Sequence, residues 1–197
     1  MERENAWGKY KGAKREKVFA FAEGYKKFMT KCKTERECVE EAIREAKENG
    51  YERLEDIQAS GKALKAGDKV YAEVMGKTLA FFHIGTESFE QGMNIVGAHI
   101  DSPRLDLKQN PLYEDADLAM LDTHYYGGVK KYQWVALPLA LHGVVAKKDG
   151  TVVQISVGED DDDPVFGVSD LLIHLSATQL EKKANKVIEG EDMNLLV

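Results

Sequence analysis

Two side chains in the stretch NIVGAHIDSPRLDLK, residues 94–108, have types and spacing that could do chemistry: His99 and Asp101. A neutral imidazole is a good ligand for zinc or cobalt. It binds best when its other ring nitrogen is held by a carboxylate, which fixes the tautomer and raises basicity. Residues two apart on a strand share a face, with Cα atoms roughly 6.5–7 Å apart, so Asp101 is within reach of the imidazole. The three-residue pattern also occurs by chance, and a purely structural pair is the competing reading. One histidine does not complete a catalytic zinc site, which takes three protein ligands. The sequence has no second His-x-Asp and no His-x-x-x-His. His124, His142 and His174, each taken alone, read as structural, and His83 as a core or edge histidine of a strand.

The elements that must position the pair follow from periodicity. Ile95, Val96, Ala98 and Ile100 predict a strand over GMNIVGAHID, apolar on both faces as at the centre of a covered sheet. Ligand sites gather at the ends of such strands. Upstream, KVYAEVMG and TLAFFHIG predict two strands joined in a hairpin at Gly76 and Lys77. Before them, Val18, Ala22, Tyr25 and Met29, widened by Phe21 and Phe28, predict a helix over 14–31. A capping box, TERE at 34–37, predicts a second helix with Val39, Ala42, Ile43 and Ala46 inward and a stop at Gly50.

After Pro103 the pattern turns β-rich. RLDLK reads as a short strand and QNPLYEDAD, 109–117, as a polar loop. Several strands follow, with turns at Gly127-Gly128 and Asp149-Gly150. The acidic run 159–163 reads as a solvated loop, because the spaced ligands of a calcium loop are absent. SDLLIHLSATQLEKK predicts a helix capped by Ser169. The expected fold class is α/β, with a seam near residues 103–110 separating domains 1–103 and 104–197.

Bulk properties exclude some functions. A net charge of −7, with both signs mixed along the chain, is not the clustered positive face of a nucleic-acid binder. No apolar run approaches the roughly 20 residues of a membrane helix. The start MERENAWGKYKGAKREK is too charged for a signal peptide. Cys32 and Cys38 make neither a disulfide framework nor a zinc cage, and read as unreactive free thiols of a cytoplasmic chain.

Three longer blocks carry a resemblance. VGAHIDSPRLDLKQNPLYED, THYYGGVKKYQWVALPLALHGVV and GEDDDDPVFGVSDLL, in this order, resemble the N-terminal part of M18 metallo-aminopeptidases, the aspartyl aminopeptidase and aminopeptidase I group. The likeness extends from NAWGKY onward. It implies a zinc-peptidase-like mixed sheet with flanking helices, begun in residues 1–103, and an inserted β-rich dimerisation domain in 104–197, both incomplete. It implies hydrolysis of the N-terminal residue of peptides by a water activated between two zinc ions, with cobalt or manganese as alternatives. It also implies a homo-oligomer built from dimers, up to a dodecamer. Position by position, His99 matches the first metal ligand and Asp101 the carboxylate that orients it. Gly127 and Gly128 fall in the glycine-containing stretch that approaches a neighbouring subunit's site. His124 is the nearest match by position to the histidine the insert lends to that partner. The bridging aspartate, the glutamate pair with the general base, the next acidic ligand and the final histidine lie further along in the family. The chain is therefore expected to hold part of a site and to be inactive alone. The rival expectation is a non-catalytic oligomerisation module derived from such an enzyme.

Overall fold

The computed structural model describes residues 3–197. The chain divides into two units, the first ending at Asp101 and the second starting at Ser102. The first is helical and carries a mixed sheet; the regular elements of the second are mainly strands, with a short helix and two 3-10 turns.

In the first unit, α1 (Ala13–Lys31) takes the expected helical course. Its apolar stripe is only partly covered. Val18, Ala22 and Phe28 are half-buried, whereas Phe21, Tyr25 and Met29 stand exposed because no described element lies over them. The second helix, α2 (Glu35–Glu48), starts at the expected capping box. Thr34 Oγ1 accepts from the Glu37 N–H at 3.3 Å, and the Glu37 carboxylate accepts from the Thr34 N–H at 2.9 Å. Two of the orphan donors at the helix start are thereby satisfied. The helix ends as its glycine predicts. Gly50, at φ 80°, donates to the Lys47 carbonyl, and Tyr51 reaches back to Ala46, both at 3.0 Å. This is the paired bonding of a Schellman stop. Thr34→Ala should lower the stability of this unit by about 1 kcal/mol, read as a reduced urea midpoint at unchanged m value.

Strand β1 (Glu52–Arg53), helix α3 (Leu54–Ser60), β2 (Lys69–Val74) and β3 (Thr78–His83) complete the unit. β2 lies centrally, parallel to β1 and antiparallel to β3, which makes the sheet mixed. The expected hairpin forms, with its turn one residue earlier than the Gly76-Lys77 predicted: Met75 and Gly76 both adopt positive φ, as a type I′ turn requires. Val39, Ala46, Ile57, Val70 and Tyr71 form the buried interior between the helices and β2. His83 is exposed on the edge strand β3.

The strand predicted over GMNIVGAHID is not formed. Residues 92–103 have no ladder partner among the described residues, and Ile95 and Val96 are 80% and 97% exposed. The reason is nonlocal. A strand apolar on both faces needs neighbours and covering layers, and the neighbours of β2 are already β1 and β3.

The second unit is built on a long hairpin of β4 (Arg104–Asp115) and β5 (Leu118–Tyr126). The polar loop expected at 109–117 is mostly strand. Its proline sits in a register break, where Leu107 pairs Thr123 but Leu112 pairs Leu121, and bulges are where a strand tolerates proline. The turn is Ala116-Asp117, with φ 53° and 62° and no glycine. A second hairpin, β6 (Leu141–Ala146) and β7 (Val152–Val157), turns at Asp149-Gly150 as expected, with the Thr151 N–H on Asp149 Oδ1 at 2.9 Å. After the short helix α4 (Ala177–Leu180), β8 (Leu195–Leu196) pairs with β5. Leu121, Phe166, Val168 and Leu195 form the core, with Leu105, Val135 and Leu139 against it. The acidic run is exposed loop; Asp163 folds back to accept from the N–H groups of Gly158 and Asp160, which hold its carboxyl below the usual range. The helix expected over 169–183 shrinks to a 3-10 turn at Ile173–Leu175 and to α4. Leu171, Leu172 and Ile173 are consecutive and exposed; three adjacent apolar residues do not share a helical stripe.

Candidate metal centre

The first unit positions His99 and Asp101 from α2. One turn into that helix, the Cys38 thiol donates to the Ile100 carbonyl at 3.7 Å. On either side of Ile100, the two predicted residues meet. His99 Nδ1 lies 2.9 Å from the Asp101 carbonyl oxygen and 3.1 Å from Asp101 Oδ1. A carbonyl and a carboxylate can only accept, so Nδ1 carries the proton. The neutral ring then presents the Nε2 lone pair. The His99 side chain is 85% exposed and that of Asp101 41%, so the ring faces outward and is not packed into the interior.

The pair fits one ligand of a divalent metal and the carboxylate behind it. Among the described residues there is no group of three or more His, Cys, Asp and Glu that could hold a metal ion. The donor set found here is thus one imidazole, too few for a zinc site. The same finding extends to the acidic run 159–163.

The platform under the pair is electrostatically stapled. Glu41, a buried acid of α2, accepts from Arg44 at 2.7 and 3.0 Å and is paired with Lys31 of α1. Hydrogen bonds from Arg44 and then Lys31 pull its carboxyl down to about 2. A lowered folded-state value stabilises the fold above the unfolded carboxylate range near pH 4.5, and that contribution fades as pH falls toward 2. Urea midpoints should therefore drop more steeply between pH 4.5 and 2 for the wild type than for Glu41→Gln. Equal slopes would show that the staple does not act.

Cys32 and Cys38 are free and buried. Their thiols are within hydrogen-bonding reach of each other, and Cys32 also donates to the Glu37 carbonyl at 3.5 Å. Burial pushes Cys32 up to about 12 and raises Cys38, so both stay protonated. Cys38 is the residue near the pair that sequence reading missed. It lies 62 positions from Ile100, and nothing in the local pattern joins them.

His124, Gly127 and Gly128 lie together at the end of β5 in the second unit. His124 is exposed and stacks on Tyr125 at 5.9 Å. Gly127 turns the chain at φ 77° beside Pro103, and around Gly128 a side chain would meet open space.

Solved structures share this fold. An M18-family aminopeptidase from Thermotoga maritima superposes with a TM-score of 0.87 at 44% identity over all of this chain and 41% of its own. Aminopeptidase I from Clostridium acetobutylicum gives 0.85 at 63% identity over all of this chain and 43% of its own. The mApe1 dodecamer from Saccharomyces cerevisiae, 22% identical with a TM-score of 0.67 over 90% of this chain and 38% of its own, shows the fold alone. The architecture is that of a segment of these aminopeptidase subunits, less than half of each in length. A probable M18 family aminopeptidase 1 from Clostridium acetobutylicum is 64% identical over the whole chain, which spans 42% of that relative's length. Residues 28–196 match the profile described as Aminopeptidase I zinc metalloprotease (M18), and the chain belongs to this family.

Proposed function

We propose that the chain forms the first part of a metal-dependent aminopeptidase. His99 Nε2 is one ligand of a zinc centre, and Asp101 holds the proton on Nδ1. The observation that carries this is the outward imidazole whose inner nitrogen is fixed by two acceptors of one residue. Bound metal supplies Lewis-acid polarisation and an activated water for hydrolysing the first peptide bond, with cobalt or manganese as alternative ions. What this chain does toward that is to orient one donor and set its tautomer.

Residues 1–103 then belong to the catalytic domain and 104–197 to an inserted dimerisation domain. His124, Gly127 and Gly128 reach a partner subunit's site in a homo-oligomer, a dimer or a dodecamer, that acts on peptides in the cytoplasm. Support comes from their shared, exposed position at the end of β5. No described helix is long and apolar enough to cross a membrane.

The test is to graft these 197 residues in place of the matching segment of the Clostridium acetobutylicum relative. The graft should hydrolyse an aminoacyl chromogenic substrate when zinc, cobalt or manganese is added, while the 197 residues alone should not. A folded, self-associating graft with no metal and no turnover would instead support a non-catalytic module.

A further inference from the structure

We propose that Cys38 is a positioning residue for the candidate metal centre: its thiol, held on α2, hydrogen-bonds the Ile100 carbonyl and fixes the peptide unit that leads into Asp101. The inference rests on the reading that His99 presents Nε2 to a metal, and it adds a residue that touches neither metal nor substrate.

The need for an anchor is visible in the backbone. Among the described residues, no strand pairing or backbone-to-backbone hydrogen bond ties residues 93–103 to the sheet of the first unit. Yet both acceptors that set the His99 tautomer belong to one residue, Asp101. Their placement depends on the rotation of the peptide between Ile100 and Asp101. That peptide's carbonyl oxygen is the atom Cys38 binds, at 3.7 Å.

Cys38 is suited to the role. Its side chain is buried, one turn into a helix whose start is locked by the Thr34–Glu37 box and whose body is tied to α1 through Glu41. Burial keeps the thiol protonated, and only the protonated form can donate to a carbonyl. A thiol is a weak donor, so the expected consequence is orientation of a neighbouring segment more than global stability.

The experiment uses the metal-free 197-residue chain, labelled with ¹⁵N, at a pH where histidine is neutral. Long-range ¹H–¹⁵N correlations report the ring tautomer, and the His99 signals are assigned with His99→Gln. The wild type should show a dominant Nδ1–H form. Cys38→Ala should keep its helical circular dichroism but move His99 toward the averaged pattern of a mobile ring. Cys38→Ser, which keeps a donor, should restore the wild-type pattern at least in part. Should Cys38→Ala fail to fold, Cys38→Val, close in volume and without a donor, replaces it in the comparison. Unchanged His99 signals in the folded donor-less variant overturn the role of Cys38 and leave the metal-ligand reading intact. A dominant Nε2–H form in the wild type overturns the metal-ligand reading itself, and this proposal with it.

Discussion

His99→Ala, made in the grafted full-length enzyme, should abolish metal-dependent turnover, with the protein still folded and assembled. The substitution removes the one nitrogen donor of the pair, whose Nδ1 is held by Asp101, and alanine supplies no ligand in its place. Bound zinc measured on the purified protein should fall along with turnover, which separates ligand loss from damage elsewhere. Asp101→Ala should be milder. Groups that orient a metal-bound histidine cost about 10–100-fold when removed. Here the Nδ1 proton is shared between the Asp101 side chain and its main-chain carbonyl, and the carbonyl is the nearer at 2.9 Å. Alanine keeps that carbonyl, so the loss should fall toward the tenfold end, about 1.4 kcal/mol in transition-state terms. Asp101→Asn retains a side-chain oxygen that can accept and should lose less again. Turnover by His99→Ala within a few-fold of wild type would remove His99 from the metal centre.

The contrast between what could and could not be read from sequence follows the range of the interactions. The capping box at Thr34 and Glu37, the stop at Gly50 and the turns at Gly76 and Gly150 are set by residues a few positions apart, and all appear. The His99–Asp101 contact was legible for the same reason, since its ends are two positions apart. Failures are nonlocal. Ile95 and Val96 carry the composition of a central strand, but composition does not supply neighbours, and the described chain offers none. QNPLYEDAD looked like loop because Pro111 and the polar residues around it break alternation; the bulge that absorbs them exists only in register with β5. Around the site, Cys38 was invisible because its partner at Ile100 is brought to it by the fold alone.

Met193 gives the largest expected stability effect in the second unit. It lies between α4 and β8 and is 0% exposed. Two bonds hold it there: Thr123 Oγ1 donates to the Met193 carbonyl at 2.7 Å, and the Thr123 N–H donates to Asn194 Oδ1 at 2.9 Å. Just beyond, Leu195 enters the core and pairs with Leu121 of β5. Truncation at such a site leaves a cavity whose walls are pinned by hydrogen bonds and resist collapse. Met193→Ala should therefore cost about 2–5 kcal/mol, the range for emptied core positions. Met193→Leu nearly conserves volume and should cost under about 1.5 kcal/mol. Thr123→Val keeps the shape but leaves the Met193 carbonyl and a buried position without their bond, for about 1–3 kcal/mol. Urea unfolding followed by Trp134 fluorescence, in a Trp7→Phe background that silences the other tryptophan, reads this unit directly. If Met193→Ala unfolds within about 0.5 kcal/mol of wild type, the range of ordinary surface changes, the tail is not part of the core, and the pairing of β8 with β5 does not hold it in place.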